Sequence, residues 1–212
     1  VRFNIRGRDL GSTVKDAQKE LSQKLEIDNE YYIKWAGQSE SQKSANSRLA
    51  IILPVTLLLI ALILHLNYKN KKDVLIAMSP IIVTLSGCIF ALFITRTYFS
   101  ISAGVGFIAA IGVSIQNGVI MLSSIIRQKK FCDNYKIAII KGAVQKLRPV
   151  LTASCVAILG LLPAALSNGI GAQSQKPFAI TIIGGLLFGT AFTIFLIPLL
   201  YKITEEYNHE NY

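Results

Sequence analysis

Residues 49–66 read LAIILPVTLLLIALILHL, a run of eighteen positions without an aspartate, glutamate, lysine or arginine. As an α-helix, a run of this length extends about 27 Å, which nearly matches the roughly 30 Å hydrocarbon core of a bilayer. A helix satisfies its own backbone hydrogen bonds, so it can cross lipid where no water is present to satisfy them. This stretch therefore predicts a membrane-spanning helix.

Four further apolar runs of similar length follow along the chain. They are Val74–Ile94, Ile101–Ile126, Val150–Leu166 and Phe178–Tyr201. Over the whole sequence 52% of residues are hydrophobic and 16% are charged, whereas soluble domains carry about 25% charged residues. The sequence thus predicts a membrane all-α bundle of five transmembrane helices at 48–203, followed by a short tail at 204–212.

The basic residues give the bundle an expected orientation. The chain has a net charge of +10, and eleven lysines and arginines lie in the connectors after the first, third and fifth runs, against two in the opposite loops. The eleven are Lys69, Lys71, Lys72, Arg127, Lys129, Lys130, Lys136, Lys141, Lys146, Arg148 and Lys202; the two are Arg96 and Lys176. Cytoplasmic loops of membrane proteins are enriched in lysine and arginine. We therefore expect the basic connectors and the C-terminus to be cytosolic and residues 1–47 to lie outside.

The same distribution argues against a nucleic-acid partner. A protein that binds single strands presents a basic groove with aromatic stacking platforms. Here the basic residues are spread over short loops between apolar runs, so the lipid bilayer is the expected partner instead.

The first 47 residues have the pattern of a short βαβ segment. Val1, Phe3 and Ile5 alternate with polar residues, apolar residues recur at helical spacing over 14–25, and alternation returns over 31–35. A unit this short cannot bury a core of its own. We therefore predict that it is part of a larger α+β domain and docks on segments outside this chain.

A second amphipathic pattern lies in the connector between the third and fourth runs. Over 134–147, the apolar residues Tyr135, Ile139 and Val144 are interleaved with lysines. Basic amphipathic helices of this kind lie in the membrane interface. The sequence predicts such a helix at the cytosolic surface.

Small residues recur every four positions in two of the runs. The third run carries Ser102, Gly106, Ala110, Ser114 and Gly118, and the fifth carries Thr181, Gly185, Gly189 and Thr193. Residues four apart share one helix face, and small side chains there allow close helix packing in lipid. The two stripes predict a tightly packed bundle.

Polar residues inside the apolar runs are the candidates for function, because a polar group in hydrocarbon is costly. Gln116 and Asn117 lie in the middle of the third run. They are either hydrogen-bonding partners of other helices or the lining of an ion or proton path. Thr152, early in the fourth run, either bonds to its own helix backbone or belongs to the same path.

Other chemistry has no sequence support. The apolar runs contain no aspartate or glutamate, so the titrating carboxylate that a proton-coupled carrier needs must come from elsewhere. There is also no phosphate-binding glycine loop, no catalytic triad and no cluster with metal-ligand spacing. We predict that the chain is not an enzyme, holds no cofactor and has no metal site of its own.

Seven motifs, taken in order, resemble one transporter family. The motifs are Arg6–Ser12 (RGRDLGS), Trp35–Glu40 (WAGQSE), Arg48–Thr56 (RLAIILPVT), Gly112–Met121 (GVSIQNGVIM), Leu147–Thr152 (LRPVLT), Leu161–Ser167 (LLPAALS) and Gly171–Pro177 (GAQSQKP). Together they are similar to the heavy-metal efflux branch, of the cobalt–zinc–cadmium and copper–silver type, of the resistance–nodulation–division (RND) transporters. The resemblance extends to about residue 203.

The resemblance implies a specific architecture. Members have twelve spans in two similar halves, each half with a large periplasmic insertion. This chain would be a C-terminal fragment, with the βαβ segment at 1–47 as the end of the periplasmic porter domain and five final spans. Members form homotrimers in the bacterial inner membrane, join a periplasmic adaptor (membrane fusion protein) and an outer-membrane channel, and exchange inward protons for outward metal ions.

The resemblance also implies roles for four residues. Gln116 falls where the multidrug branch has a relay lysine, and Asn117 matches the asparagine beside it. Thr152 matches a relay threonine, and Lys146 a basic residue at the cytosolic entrance to the path. Because glutamine cannot carry charge, Gln116 would at most orient water or a carboxylate from the half that this chain lacks.

Two alternatives remain open from the sequence. Taken alone, a chain without intramembrane carboxylates is also compatible with a non-transporting membrane remnant or a structural or assembly subunit. An RND-type transporter of another substrate, such as lipid or protein, is a further alternative.

Overall fold

A computed structural model describes residues 13, 16, 17, 19–21, 23, 38–132, 134–169 and 171–210. The described residues between 13 and 23 are helical. The strands predicted at 1–5 and 31–35 lie outside the described residues, so the βαβ segment stays a prediction. The chain divides into two compact units, residues 1–51 and 52–212, and the bundle belongs to the second.

In the part of the chain described from residue 38 onward, six helices follow in order. They are α1 (Gln38–Tyr68), α2 (Lys71–Met78), α3 (Pro80–Ile94), α4 (Ile101–Lys129), α5 (Tyr135–Leu166) and α6 (Ala172–Glu210). Within the described residues, five segments are long and apolar enough to cross a membrane: Ser47–Tyr68, Lys71–Ile94, Ile101–Lys129, Tyr135–Leu166 and Ser174–Tyr207. The predicted all-α bundle with five potential transmembrane helices is confirmed.

The second span is broken into α2 and α3. Pro80 is the first residue of α3, and proline has no backbone N–H to continue the hydrogen-bond ladder of α2. The Ser79 hydroxyl donates to the Ile76 carbonyl at 2.8 Å and so satisfies one of the carbonyls at the end of α2. The sequence had predicted one uninterrupted run over 74–94.

The predicted amphipathic helix at 134–147 is not a separate element. These residues form the first turns of α5, which continues through Pro149 into the fourth span. The buried residues of this part include Ile139 and Gly142, and a Cβ on Gly142 would lie 2.6 Å from the Ile125 Cα of α4. Close packing against α4 thus extends along this end of α5, and the predicted position of residues 134–147 at the membrane surface stays a prediction.

Helix α6 occupies the centre of the bundle, against α3, α4 and α5. Its contact with α3 is close at Gly87, where a Cβ would lie 2.6 Å from the Phe188 Cβ and 2.7 Å from the Gly184 carbonyl O. Its contact with α4 is close at Gly106, where a Cβ would lie 2.9 Å from the Phe178 carbonyl O. Both predicted small-residue stripes therefore lie in helix interfaces.

Helix α3 ends in a Schellman motif with an arginine where glycine is usual. The Thr97 N–H donates to the Leu92 carbonyl at 3.0 Å and the Arg96 N–H to the Phe93 carbonyl at 3.2 Å. Arg96 has a φ of 50°, a left-handed conformation that costs a non-glycine residue about 1–2 kcal/mol. The backbone at Arg96 is therefore strained, whereas glycine would adopt the same conformation without strain.

Candidate functional site

Three buried polar side chains meet in the middle of the bundle. The Asn117 amide nitrogen Nδ2 donates to Ser154 Oγ at 3.3 Å, and Thr190 Oγ1 donates to the same oxygen at 2.7 Å. The three residues are only 4%, 3% and 6% exposed, respectively. We call them the Asn117 cluster; it joins α4, α5 and α6 through one serine hydroxyl.

A second buried contact extends the polar region toward α3. Thr84 Oγ1 donates to Ser114 Oγ of α4 at 2.6 Å, and Ser114 lies three residues before Asn117, on a neighbouring part of the same helix surface. Within the described part of the chain, no buried side-chain nitrogen or oxygen lacks a hydrogen-bond partner. The buried polar network therefore consists of two satisfied groups, one that joins α3 to α4 and one that joins α4, α5 and α6.

Gln116 lies outside this network although it adjoins Asn117 in sequence. Successive helix positions are about 100° apart, and Gln116 is exposed while Asn117 is buried. Gly112, one turn earlier on the same face, is also exposed, and a Cβ there would have no atom within 4 Å. We call the surface formed by Gly112 and Gln116 the open face of α4.

Thr152 and Lys146 are also outside the network. Thr152 is exposed, and its Oγ1 donates to the Arg148 carbonyl of its own helix at 2.8 Å; this is the back-bonding alternative that the sequence left open. Residue 152 lies about 200° around α5 from Ser154, on the side away from the Asn117 cluster. Lys146 is half-buried near the start of the span.

Only Asn117, of the four predicted residues, thus belongs to the buried cluster. Ser154, Thr190 and Thr84 were not predicted, because serine and threonine in a membrane helix usually bond to their own backbone and carry no periodic signal. Thr190 does follow the helical spacing of the fifth run, three residues before Thr193. That spacing was the only sequence signal for it.

Most of the charged side chains of the bundle lie at one end, where α4 and α6 end and α5 begins; we call it the basic end. Lys129 of α4 pairs with Glu205 of α6 at 2.7 Å, and Lys136 of α5 lies 3.9 Å from Glu206 of α6. At the same end, Tyr68 of α1 hydrogen-bonds with Ser123 of α4 at 2.7 Å. Among the described residues, no group of three or more His, Cys, Asp or Glu could hold a metal ion.

Comparison with known proteins gives a consistent result. A model of the AcrB/AcrD/AcrF family matches residues 1–205. The cobalt-zinc-cadmium resistance protein CzcA of Cupriavidus metallidurans is 40% identical over 205 residues, which cover 97% of this chain and 19% of CzcA. The cation efflux system protein CusA of Escherichia coli K12 is 29% identical over 220 residues, which cover 99% of this chain and 21% of CusA.

A comparison with solved structures gives the same result as the sequence comparisons. A crystal structure of a heavy metal efflux pump matches with a TM-score of 0.78 and 35% identity, over 97% of this chain and 20% of that one. This chain spans about a fifth of the length of these proteins. Since the family match covers nearly all of its sequence and its relatives share its fold, this chain belongs to the heavy-metal efflux branch of the RND transporters.

Proposed function

We propose that this chain is part of a proton-driven heavy-metal cation efflux pump in the bacterial inner membrane. The pump exchanges protons that enter the cell for metal cations that leave it, and it performs no enzymatic reaction. The proposal rests on the family membership and on one structural observation, the open face of α4.

The open face indicates a missing neighbour. Gln116 places an amide at mid-span, where contact with lipid is costly, and Gly112 leaves space for another helix backbone to approach closely. The apolar runs of this chain supply no carboxylate. A helix from the rest of the pump, with a titrating carboxylate, would cover this face and satisfy the Gln116 amide.

In this mechanism Gln116 acts as a neutral partner. When the carboxylate is ionised, it accepts a hydrogen bond from the Gln116 amide; when it is protonated, it can donate to the amide oxygen instead. The change in hydrogen bonding repositions α4. The Asn117 cluster then transmits the displacement to α5 and α6, because it ties all three helices together.

Thr152 and Lys146 have accessory roles in the proposal. Thr152 lies on the exposed side of α5, where its hydroxyl can leave the Arg148 carbonyl and bond to water in the proton path. Lys146, about one and a half turns earlier on α5, would set the electrostatic potential at the cytosolic end of that path.

The assembly and topology follow the branch to which the chain belongs. The pump is a homotrimer, and it joins a periplasmic adaptor and an outer-membrane channel in a tripartite exporter. Residues 1–47 lie in the periplasm as part of the porter domain, and the tail at 204–212 lies in the cytosol. The excess of lysine and arginine at the basic end supports this orientation.

The central experiment replaces Gln116→Leu in the intact pump, which keeps the size of the side chain and removes its hydrogen bonds. We expect loss of resistance to cobalt, zinc and cadmium with normal expression, and loss of proton-driven metal uptake into inverted vesicles. Gln128→Leu is the matched control, because Gln128 bonds to Gln145 at the basic end, away from the open face. Full resistance in the Gln116→Leu strain would contradict the proposed role of the open face.

A second experiment separates function from backbone bonding at Thr152. Thr152→Ala removes a hydroxyl that bonds to the carbonyl four residues earlier, and Thr56→Ala in α1 removes one in the same geometry at 2.8 Å. We expect reduced metal resistance for Thr152→Ala alone. Equal resistance in the two variants would remove Thr152 from the proton path.

If neither pair of variants alters resistance, and deletion of the gene leaves metal tolerance unchanged, the chain is a non-transporting subunit.

A protonophore tests whether metal transport is coupled to the proton gradient. Metal uptake into inverted vesicles that persists after collapse of the proton gradient would contradict proton coupling.

A further inference from the structure

An aromatic cavity of about 500 Å³ lies at the end of the bundle opposite the basic end. Its walls come from the last two turns of α3, the loop at 95–100 and the start of α4. The cavity is largely open on one side, so a ligand in it would keep part of its surface in contact with the surroundings. None of its residues belongs to the Asn117 cluster or the open face of α4.

One wall of the cavity is apolar and has a cation at its end. Ile89, Leu92 and Phe93 of α3 line it together with Arg96, which lies two residues beyond the end of that helix. Ile89, Leu92 and Phe93 are three and four residues apart and share one side of α3. A ligand that fits this wall has a charged group at one end and an apolar part beside it.

The opposite wall is aromatic. Phe99 of the loop and Phe107 of α4 lie with their ring centroids 6.0 Å apart, and both line the cavity. Tyr98 also lines the cavity, and tyrosine at the end of a transmembrane helix lies at the level of the lipid headgroups. The cavity therefore opens where headgroups and acyl chains meet.

Arg96 is available for an anion at the mouth of the cavity. Its side chain is exposed, and within the described part of the chain no acidic side chain forms an ion pair with it. The backbone at this residue adopts the left-handed conformation that glycine would take without strain. A guanidinium group binds phosphate oxygens through two parallel hydrogen bonds.

We propose that the cavity binds one anionic phospholipid, with its phosphate on the Arg96 guanidinium and the upper part of an acyl chain between Leu92, Phe93 and Phe107. The lipid lies in the periplasmic leaflet, an assignment that rests on the orientation given in the proposed function. A lipid fits because the cavity combines a single cation with an apolar wall. A free metal cation does not fit, since the charged group at the mouth is itself a cation.

The test measures lipid binding directly, without any transport assay, so its failure and that of the proposed function are distinguishable. The intact protein is purified, delipidated and titrated with phosphatidylglycerol and phosphatidylethanolamine under native mass spectrometry. We expect preferential retention of phosphatidylglycerol. In the Arg96→Gly variant, the apparent Kd for this lipid should be roughly fivefold higher. Because glycine suits the left-handed conformation, this variant should keep or raise its Tm, and loss of lipid binding cannot then be attributed to unfolding.

Two further variants define the site. Lys176→Gln removes a cation from the other loop at the same end, where Lys176 bonds to Asn168 at 3.0 Å, and it should leave phosphatidylglycerol binding unchanged. Ile89→Trp narrows the apolar wall without changing charge and should weaken binding. Inorganic phosphate should produce no thermal stabilisation at concentrations at which the lipid does.

Three outcomes would overturn the proposal. They are unchanged phosphatidylglycerol binding in Arg96→Gly, equal losses in Arg96→Gly and Lys176→Gln, and stabilisation by inorganic phosphate equal to that by the lipid. The second outcome would assign Arg96 to nonspecific attraction of anionic lipid, and the third would assign it to phosphate alone.

Discussion

Helices α1 and α6 are both apolar enough to cross a membrane, yet they occupy opposite places in the bundle. In the most apolar window of α6, 56% of the residues are buried within the chain, against 6% for α1, although α1 is the more hydrophobic of the two. In lipid, an apolar side chain gains little free energy when it exchanges contact with acyl chains for contact with another helix. Close helix contact depends instead on small residues and hydrogen bonds. Hydrophobicity thus predicts which segments can cross a membrane, whereas the positions of glycine, serine and threonine predict which helix lies at the centre of the bundle.

The largest effect expected from this contrast is at Leu186 of α6, which is 1% exposed, compared with Leu58 of α1, which is 67% exposed. Leu186→Ala should lower the free energy of unfolding by about 2–4 kcal/mol because it leaves a cavity in the packed centre. Leu58→Ala should change it by less than about 0.5 kcal/mol. Unfolding in detergent mixtures of increasing SDS content measures both; equal losses would abolish the distinction between the helices.

A second effect concerns the glycines that let α6 approach its neighbours. Gly87→Ala should cost about 1–3 kcal/mol, since the new Cβ overlaps Phe188 and the Gly184 carbonyl and forces α3 and α6 apart. Gly160→Ala in α5 is the control, because a Cβ there has no atom within 4 Å. It should be neutral or stabilising by up to about 1 kcal/mol, as measured by thermal unfolding in detergent. A large loss at Gly160 would instead indicate packing against a helix outside this chain.

A third and smaller effect tests the Asn117 cluster. Ser154→Ala removes the acceptor of two hydrogen bonds and should destabilise the bundle by about 1–2 kcal/mol. Ser86→Ala makes the same change at an exposed serine that bonds only to the Val83 carbonyl of its own helix. If the two variants unfold at the same SDS content, the cluster contributes nothing to helix association.

The smallest effect is expected for α1, whose Tyr68 hydroxyl hydrogen-bonds with Ser123 at 2.7 Å and donates to the Val119 carbonyl at 3.3 Å. Tyr68→Phe should cost about 0.5–1 kcal/mol, and Ser123→Ala less, because Tyr68 keeps its bond to Val119. The double variant should cost no more than Tyr68→Phe alone, because that change already removes the bond to Ser123. Additive losses in this cycle would show that the two hydroxyls act independently.

The sequence predicted the elements better than their connections. Charge-free runs predicted five membrane-spanning segments because the bilayer sets their length, and the residues four apart predicted which faces pack. In the run from Val74 to Ile94, Pro80 was an ambiguous signal of the break at Ser79, since proline is tolerated in membrane helices when other groups satisfy the backbone.

The candidate site was only partly predictable, for a related reason. Asn117 was identifiable, because an amide in mid-span needs a partner. Its actual partner, Ser154, and Thr190, which donates to the same serine, were not. A hydroxyl can also bond to the backbone of its own helix, and the sequence does not indicate which of the two bonds it forms. The exposure of Gln116 and Thr152 could not be predicted at all, since it depends on which helices surround α4 and α5.

The continuity of α5 has a mechanical consequence. With 32 residues it extends about 48 Å, well beyond the hydrocarbon thickness, and it carries Lys136 at one end and Ser154 near its middle. A separate surface helix joined by a flexible turn would absorb a shift of the span. A continuous helix behaves as a lever instead, so a tilt of a few degrees at the Asn117 cluster displaces the basic end by ångströms.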